Sequence, residues 1–145
     1  MNGFIAFYKN KEGKFIYIPQ IVVHKNTLTM YKDNFATVMM EVLTAKDMNN
    51  FYFDAETMTV YYYNNTDKSD EGLYKIDLSN LAQVQEPTLI LQTTVTGREA
   101  KYYCSNLKVL GDYLYFVNSQ GDGLFGDAHT YKLNINGQND PELIA

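Results

Sequence analysis

Two stretches decide the fold: "VYYYNNTDKSDEGLYKIDLSN" at residues 60–80 and "LYFVNSQGDGLFGDAHTYKLNING" at residues 114–137. Each begins with a short aromatic strand, continues through a polar loop that contains glycine, and ends with a second strand and a turn. A proline then introduces a short apolar strand, at Pro87 in one case and at Pro141 in the other. Because these features recur in one order about 54 to 57 residues apart, we interpret them as copies of one structural repeat.

A fainter copy precedes these two. Its predicted strands lie at residues 4–8, 14–18 and 27–34, its closing strand lies at 40–43, and residues 19–25 look like an insertion. The whole chain is short enough for a single domain. The repeats are therefore expected at about residues 1–48, 49–100 and 101–145.

Residues 35–46 fit two structures. They can form the closing strand of the first repeat. Alternatively, an Asp33 or Asn34 cap can start a short helix there, because apolar residues recur at helical spacing. The residues that carry this helical spacing are Phe35, Val38, Met39, Val42 and Leu43.

The fold class that follows is all-β, a partial β-propeller of about three four-stranded antiparallel blades. Repeats of about 50 residues with four short strands are typical of propeller blades. One such sheet cannot bury both of its faces alone, so blades must stack. An arc of three blades leaves two sheet faces open. We therefore expect either a homodimer that completes the ring or the remainder of a longer chain.

Composition excludes several classes of protein. A net charge of −5 and a pI near 4.9 argue against a nucleic-acid partner, and no run of three basic residues occurs. No apolar run is long enough to span a membrane, and the first residues are too polar for a signal peptide. The chain is thus either cytosolic or without its export signal. A single cysteine, Cys104, excludes an internal disulfide and is expected to be a small buried residue.

The two stretches resemble the blade motif of the low-density-lipoprotein-receptor YWTD propellers, and more closely the related bacterial propeller-like domains of unknown function. Residues 61–64 (YYYN) and 115–118 (YFVN) stand at the Tyr-Trp-Thr-Asp position. A Tyr-Lys pair stands twice at the Ile-Xaa-Arg position, at 74–75 and 131–132, and Gly137 stands at the closing glycine. No tryptophan is present, and asparagine replaces the aspartate. The resemblance covers residues 49–145 and implies a binding platform without chemistry of its own, usually secreted or at the cell surface.

The glycine-rich loop after residue 117 offers a candidate metal site. Oxygen-bearing side chains alternate there before a glycine, as at the start of a calcium loop, in Asn118, Gln120 and Asp122. His129 stands where the bidentate glutamate would be needed. A turn between two strands uses the same residue types, so we favour a turn and expect no cofactor beyond weakly bound calcium.

Tyrosines are the candidate ligand-binding residues. Alternation along a strand places Tyr61 and Tyr63 on one face and Tyr62 on the other, and stacked sheets would bury most of them. Exposed tyrosines would instead suit a sugar or a peptide, by ring stacking and a hydroxyl hydrogen bond. The residues considered for this role are Tyr62, Tyr63 and Tyr115.

Catalytic motifs are missing from the sequence. His24 and His129 have no metal-ligand or acid–base spacing, and the serines have no nucleophile motif. We therefore favour a non-catalytic binding or scaffolding module that recognises a protein, peptide or glycan through its loops. The alternative is a fragment of a propeller enzyme that acts on glycans, a hydrolase or lyase with paired central carboxylates. The acidic residues to inspect for that role are Asp54, Asp112 and Asp127.

Overall fold

The fold is all-β. The computed structural model describes residues 6–9, 11–13, 15–18, 20–32, 36–44, 50–65, 71–79, 86–93, 102–118, 128–136 and 140–145. Within these ranges the chain forms thirteen strands and no helix. All pairings between these strands are antiparallel.

Each sheet is built from strands in chain order. The N-terminal hairpin pairs β1 (Ala6–Lys9) with β2 (Phe15–Ile18). The first sheet contains β3 (Gln20–His24), β4 (Thr27–Lys32) and β5 (Thr37–Leu43). The middle sheet contains β6 (Phe51–Asp54), β7 (Thr59–Asn64), β8 (Gly72–Asp77) and β9 (Thr88–Gln92). The last sheet contains β10 (Cys104–Leu110), β11 (Tyr113–Asn118), β12 (His129–Asn134) and β13 (Glu142–Leu143).

The middle sheet packs between the other two. On one side Val60 and Tyr62 share a buried cluster with Leu28 and Met30 of the first sheet. On the other side the buried cluster joins Tyr61 and Tyr63 to residues of the last sheet, among them Leu114, Phe116 and Leu133. Every residue of β7 is buried as a result. The predicted division of the three tyrosines between two faces is confirmed.

The three sheets follow one another in the same orientation. We call the face of a sheet that points toward the following sheet its front face, and the opposite face its rear face. On β7, the second strand of the middle sheet, odd-numbered residues such as Tyr61 lie on the front face. On β11, the second strand of the last sheet, the residue that corresponds to Tyr61 is Tyr115. Rear residues such as Tyr62 correspond to Phe116. Corresponding residues of the middle and last sheets therefore lie on corresponding faces.

Polar contacts connect the sheets at the end of the stack where β7 and β11 finish. The Thr44 hydroxyl, just after β5, donates to the Tyr63 carbonyl at 2.9 Å. The fully buried Asn50 amide donates to the Cys104 carbonyl. Since each bond satisfies a buried backbone oxygen, it fixes how one sheet sits on the next.

Two expectations for the N-terminal third require correction. The helical alternative for residues 35–46 is wrong, because β5 pairs with β4 along most of its length. Residues 19–25 are not a simple insertion, since most of them form β3. The described part of the first sheet holds three strands rather than four. The strands expected at 4–8 and 14–18 are present as β1 and β2, but they pair with each other in a sheet of their own and not with the strands of the first sheet; residues 4, 5 and 14 lie outside the described residues.

Candidate functional site

A cleft of about 610 Å³ opens between the middle and last sheets. It lies where the β6–β7 and β10–β11 turns connect their strands. The polar contacts of Tyr63 and Asn50 lie at the opposite ends of these strands. The ends of β8 and β12 and the start of β9 complete its walls. The residues that line it are Asp54, Thr57, Thr59, Tyr61, Lys75, Asp77, Glu86, Thr88, Val109, Gly111, Asp112, Ile135 and Asn136.

Acidic side chains outnumber basic ones in the cleft. Asp54, Asp77, Glu86 and Asp112 line it together with one basic residue, Lys75. The structure thus brings together two of the three acidic residues singled out in the sequence, Asp54 and Asp112, whereas Asp127 lies outside the described residues. Asp77 and Glu86 were missed. Both stand next to turn signals, but pairing of distant strands within the middle sheet is needed to place Asp77 beside Asp54, and the last sheet adds Asp112.

Local turn chemistry positions two of these carboxylates. One oxygen of Asp54 accepts a hydrogen bond from the Glu56 amide at 3.1 Å, and the other accepts one from the Thr57 hydroxyl at 2.9 Å. Asp77 accepts a hydrogen bond from the Ser79 amide at 2.8 Å. Hydrogen bonds from Ser79 and the nearby charge of Lys75 lower the pKa of Asp77. Such a carboxyl stays negatively charged at neutral pH.

Tyr61 forms part of the cleft wall. Its side chain is 4% exposed, and burial, followed by the charge of Asp54, raises its pKa to about 12. The same two causes raise the pKa of Tyr52. A neutral tyrosine hydroxyl beside charged carboxylates gives the cleft both hydrogen-bond donors and acceptors.

The raised pKa of Tyr61 makes stability depend on pH in the alkaline range. Its folded-state pKa of about 12 exceeds the ordinary value of 10.0, so the folded chain holds the proton more tightly than the unfolded chain. This contribution is complete below pH 10 and is lost as the pH rises toward about 12. We expect the free energy of unfolding, measured in urea, to fall over this interval. A Tyr61→Phe variant should show a shallower fall; an identical fall would contradict the assignment.

The three candidate ligand-binding tyrosines occupy different environments. Tyr62 and Tyr63 are 3% and 0% exposed and belong to the two buried clusters, so neither ring is open to a ligand. Tyr115 is half-buried on the front face of the last sheet, away from the cleft. None of the three lines the cleft, where the tyrosine is Tyr61.

The candidate metal site is only partly described. Asn118 is 5% exposed and its side-chain oxygen accepts a hydrogen bond from the Tyr103 amide at 2.9 Å, which is a structural role. Gln120 and Asp122 lie outside the described residues. In the part of the chain that the structure describes, no group of three or more histidine, cysteine, aspartate or glutamate side chains could hold a metal ion.

The remaining reactive side chains lie apart from one another. His24 is exposed at the end of β3, and His129 is half-buried at the start of β12. Cys104 is fully buried, which confirms the expectation, and burial raises its thiol pKa well above the ordinary value. A buried thiol of this kind is inert.

Comparisons of the chain with protein-family models, with curated proteins and with solved structures each give no match. Across the described ranges, no helix is long and apolar enough to cross a membrane.

Proposed function

We propose that the chain is a non-catalytic binding module of propeller-type blades, and that its ligand occupies the cleft between the middle and last sheets. The observation that carries the proposal is the cleft itself. It is lined by four carboxylates and one lysine, with four hydroxyl-bearing residues between them, Thr57, Thr59, Tyr61 and Thr88. Opposite charge attracts, so this lining favours a positively charged segment of a peptide or protein.

Propeller-type blades are supported by the stack of sheets. Up-and-down antiparallel order in each sheet, one orientation from sheet to sheet, and burial of both faces of the middle sheet are features of blades. Binding residues lie disproportionately on the loops that a rigid scaffold presents. The cleft lies beside such loops, between the turn after Asp54 and the turn at Gly111.

A propeller enzyme that acts on glycans is the second candidate, because Asp54 and Asp112 line one cleft. Paired carboxylates are what glycoside hydrolysis requires. Both side-chain oxygens of Asp54, however, accept hydrogen bonds from its own turn, so stabilisation of this turn explains why an aspartate stands here. Binding without chemistry is therefore the better-supported function.

The test is calorimetric titration with two probes, tetralysine and the neutral sugar N-acetylchitotetraose. We expect tetralysine to bind, and the doubly substituted Asp112→Asn/Glu86→Gln chain to bind it about tenfold more weakly, since two charges leave the cleft. The control is Asp140→Asn/Glu142→Gln, which changes the net charge equally at exposed positions outside the cleft. This control should change affinity by less than about twofold, and binding should weaken with added salt.

Three results would contradict the proposal. If the wild-type chain bound neither tetralysine nor the sugar, the cleft would be a binding site for neither a cationic peptide nor a glycan. Equal weakening in both doubly substituted chains would show non-specific attraction to an acidic protein. Turnover of the sugar, abolished by Asp54→Asn, would favour the enzyme instead.

A further inference from the structure

The front face of the last sheet has the composition of a face that another sheet covers. β7 and β11 are both central strands with a partner strand on each side, so neither is exposed merely because it lies at an edge. On β7 the front-face Tyr61 and Tyr63 are 4% and 0% exposed, because the last sheet packs on them. Their counterparts on β11, Tyr115 and Val117, are half-buried and belong to neither buried cluster. An aromatic and apolar sheet face of this kind marks an interaction site.

A row of charged and aromatic side chains crosses this face. Cross-strand pairing places Lys108 of β10 beside Tyr115. Tyr115 pairs in turn with Lys132 of β12, and Lys132 pairs with Glu142 of β13. Directly paired residues point to the same side of a sheet, so all four side chains lie on the front face. Lys108 and Glu142, at the two ends of the row, are exposed, and the Lys132 amine lies 3.7 Å from a Glu142 oxygen.

This row is complementary to itself. In a second copy that is related by a two-fold axis parallel to the strands, between β11 and β12, the order of the strands is reversed. β10 then faces β13, and β11 faces β12. Lys108 of one copy meets Glu142 of the other, and the Tyr115 ring meets the Lys132 amine. An axis across the strands through the same row would instead set each lysine against its own equivalent, which like-charge repulsion disfavours.

We propose that two copies of this chain form a dimer in which the front faces of their last sheets pack together with aligned strands. Both copies use the same surface, so the contact does not propagate beyond two chains. Aligned packing at a separation of about 10 Å is usual for two sheets that meet face to face. Aromatic and apolar side chains supply the buried area, and the charged row fixes the register. This arrangement pairs two equivalent faces and does not itself close a ring of blades.

The size of the face limits the expected affinity. Its longest strand holds seven residues. At about 3.3 Å per residue and about 4.8 Å between strands, a face of four such strands extends roughly 20 Å in each direction. A face of this size lies at the small end of specific interfaces, so we expect a dissociation constant in the micromolar range.

The experiment measures molar mass by light scattering after size exclusion, from micromolar to millimolar concentration. We expect the mass of the wild-type chain to rise with concentration from 16.7 kDa toward twice that value. Tyr115→Lys should raise the dimer dissociation constant about tenfold or more, because it sets a second amine against Lys132 in an apolar contact. Leu89→Lys is the matched control, since Leu89 is 47% exposed but lies on β9 of the middle sheet. It should leave the dissociation constant unchanged.

Charge reversal tests which residues meet. Lys108→Glu and Glu142→Lys should each weaken the dimer about fivefold, because each sets like charges against each other at both ends of the row. An equimolar mixture of these two variants should regain the dimer, since a mixed pair sets a lysine against a glutamate at both ends. Lys11→Glu makes the same change of charge at an exposed position between β1 and β2 and should have no effect. Circular dichroism and thermal unfolding of each variant confirm that it is folded.

A wild-type chain that stays monomeric up to millimolar concentration would overturn the proposal, and so would masses that grow beyond a dimer. Equal effects of Lys11→Glu and Lys108→Glu would show that net charge governs association, and not the row. A mixture with no more dimer than either single variant would rule out contact between Lys108 and Glu142. Because none of the substituted residues lines the cleft, tetralysine titration of the same variants separates failure of this proposal from failure of the proposed function.

Discussion

Leu114→Ala is expected to lower the free energy of unfolding by about 3 kcal/mol. Leu114 is 0% exposed on β11 and lies in the cluster that joins the last sheet to the middle sheet. The substitution removes three buried carbon atoms and leaves a cavity between two sheets, whose strands are held in place by their own hydrogen bonds. Such a site collapses poorly, so the cost lies well above that of a surface change. Urea unfolding at a fixed protein concentration measures it.

Leu89→Ala is the matched control for this prediction. The same atoms are removed from a leucine that is 47% exposed on the edge strand β9. We expect a change of less than about 0.5 kcal/mol. Similar losses at the two positions would mean that the middle and last sheets do not share a core.

The faces of β7 were predictable because this strand pairs with both of its neighbours without a register shift. In "VYYYNN" a period of two sends Tyr61 and Tyr63 one way and Tyr62 the other, and the structure places them so. Cys104 was recognisable as buried from the two aromatic residues before it. The faces of these tyrosines and the burial of Cys104 follow from the local sequence pattern, which a single sequence shows.

The first sheet was harder to predict because its periodicity is broken. The pairing of β4 and β5 shifts register between Met30 and Tyr31. This irregularity lets the neighbours Met39 and Met40 both pack toward the middle sheet, which imitates helical spacing. Only the partner strand decides between helix and strand, and that partner is not visible in a short window of sequence. Residues 20–24 became a strand for the same reason, since they pair with β4.

The cleft was only half predictable. Asp54 and Asp112 were among the acidic residues considered for a glycan-active site, yet no local pattern connects them to Asp77 or Glu86. Strand pairing in the middle sheet places Asp77 beside Asp54, and stacking of the last sheet on the middle sheet brings Asp112 to the same opening. Tertiary convergence of this kind joins residues far apart in sequence, so it requires the packed structure.

Tyr63→Phe is expected to lower the free energy of unfolding by about 2 kcal/mol, the usual contribution of a hydrogen bond to a charged group. The Tyr63 hydroxyl lies 2.6 Å from an oxygen of Glu71 and 3.1 Å from the Tyr102 carbonyl. Glu71 is 7% exposed, so water cannot readily replace the lost donor. Phenylalanine keeps the ring and its packing, and only the hydroxyl is removed. The Glu71 contact lies within the middle sheet, whereas the contact with the Tyr102 carbonyl joins this sheet to the chain just before the last sheet.

Tyr61→Phe controls for the loss of a tyrosine hydroxyl. Tyr61 lies on the same face of the same strand and in the same cluster, but at the end that forms the cleft. We expect its substitution to change stability by less than about 0.5 kcal/mol at neutral pH. A double-mutant cycle of Tyr63→Phe with Glu71→Gln should then give a coupling energy of about 1 kcal/mol or more, since the two side chains touch. Additive losses would contradict the assignment, because the buried carboxyl would then be held by its other contacts.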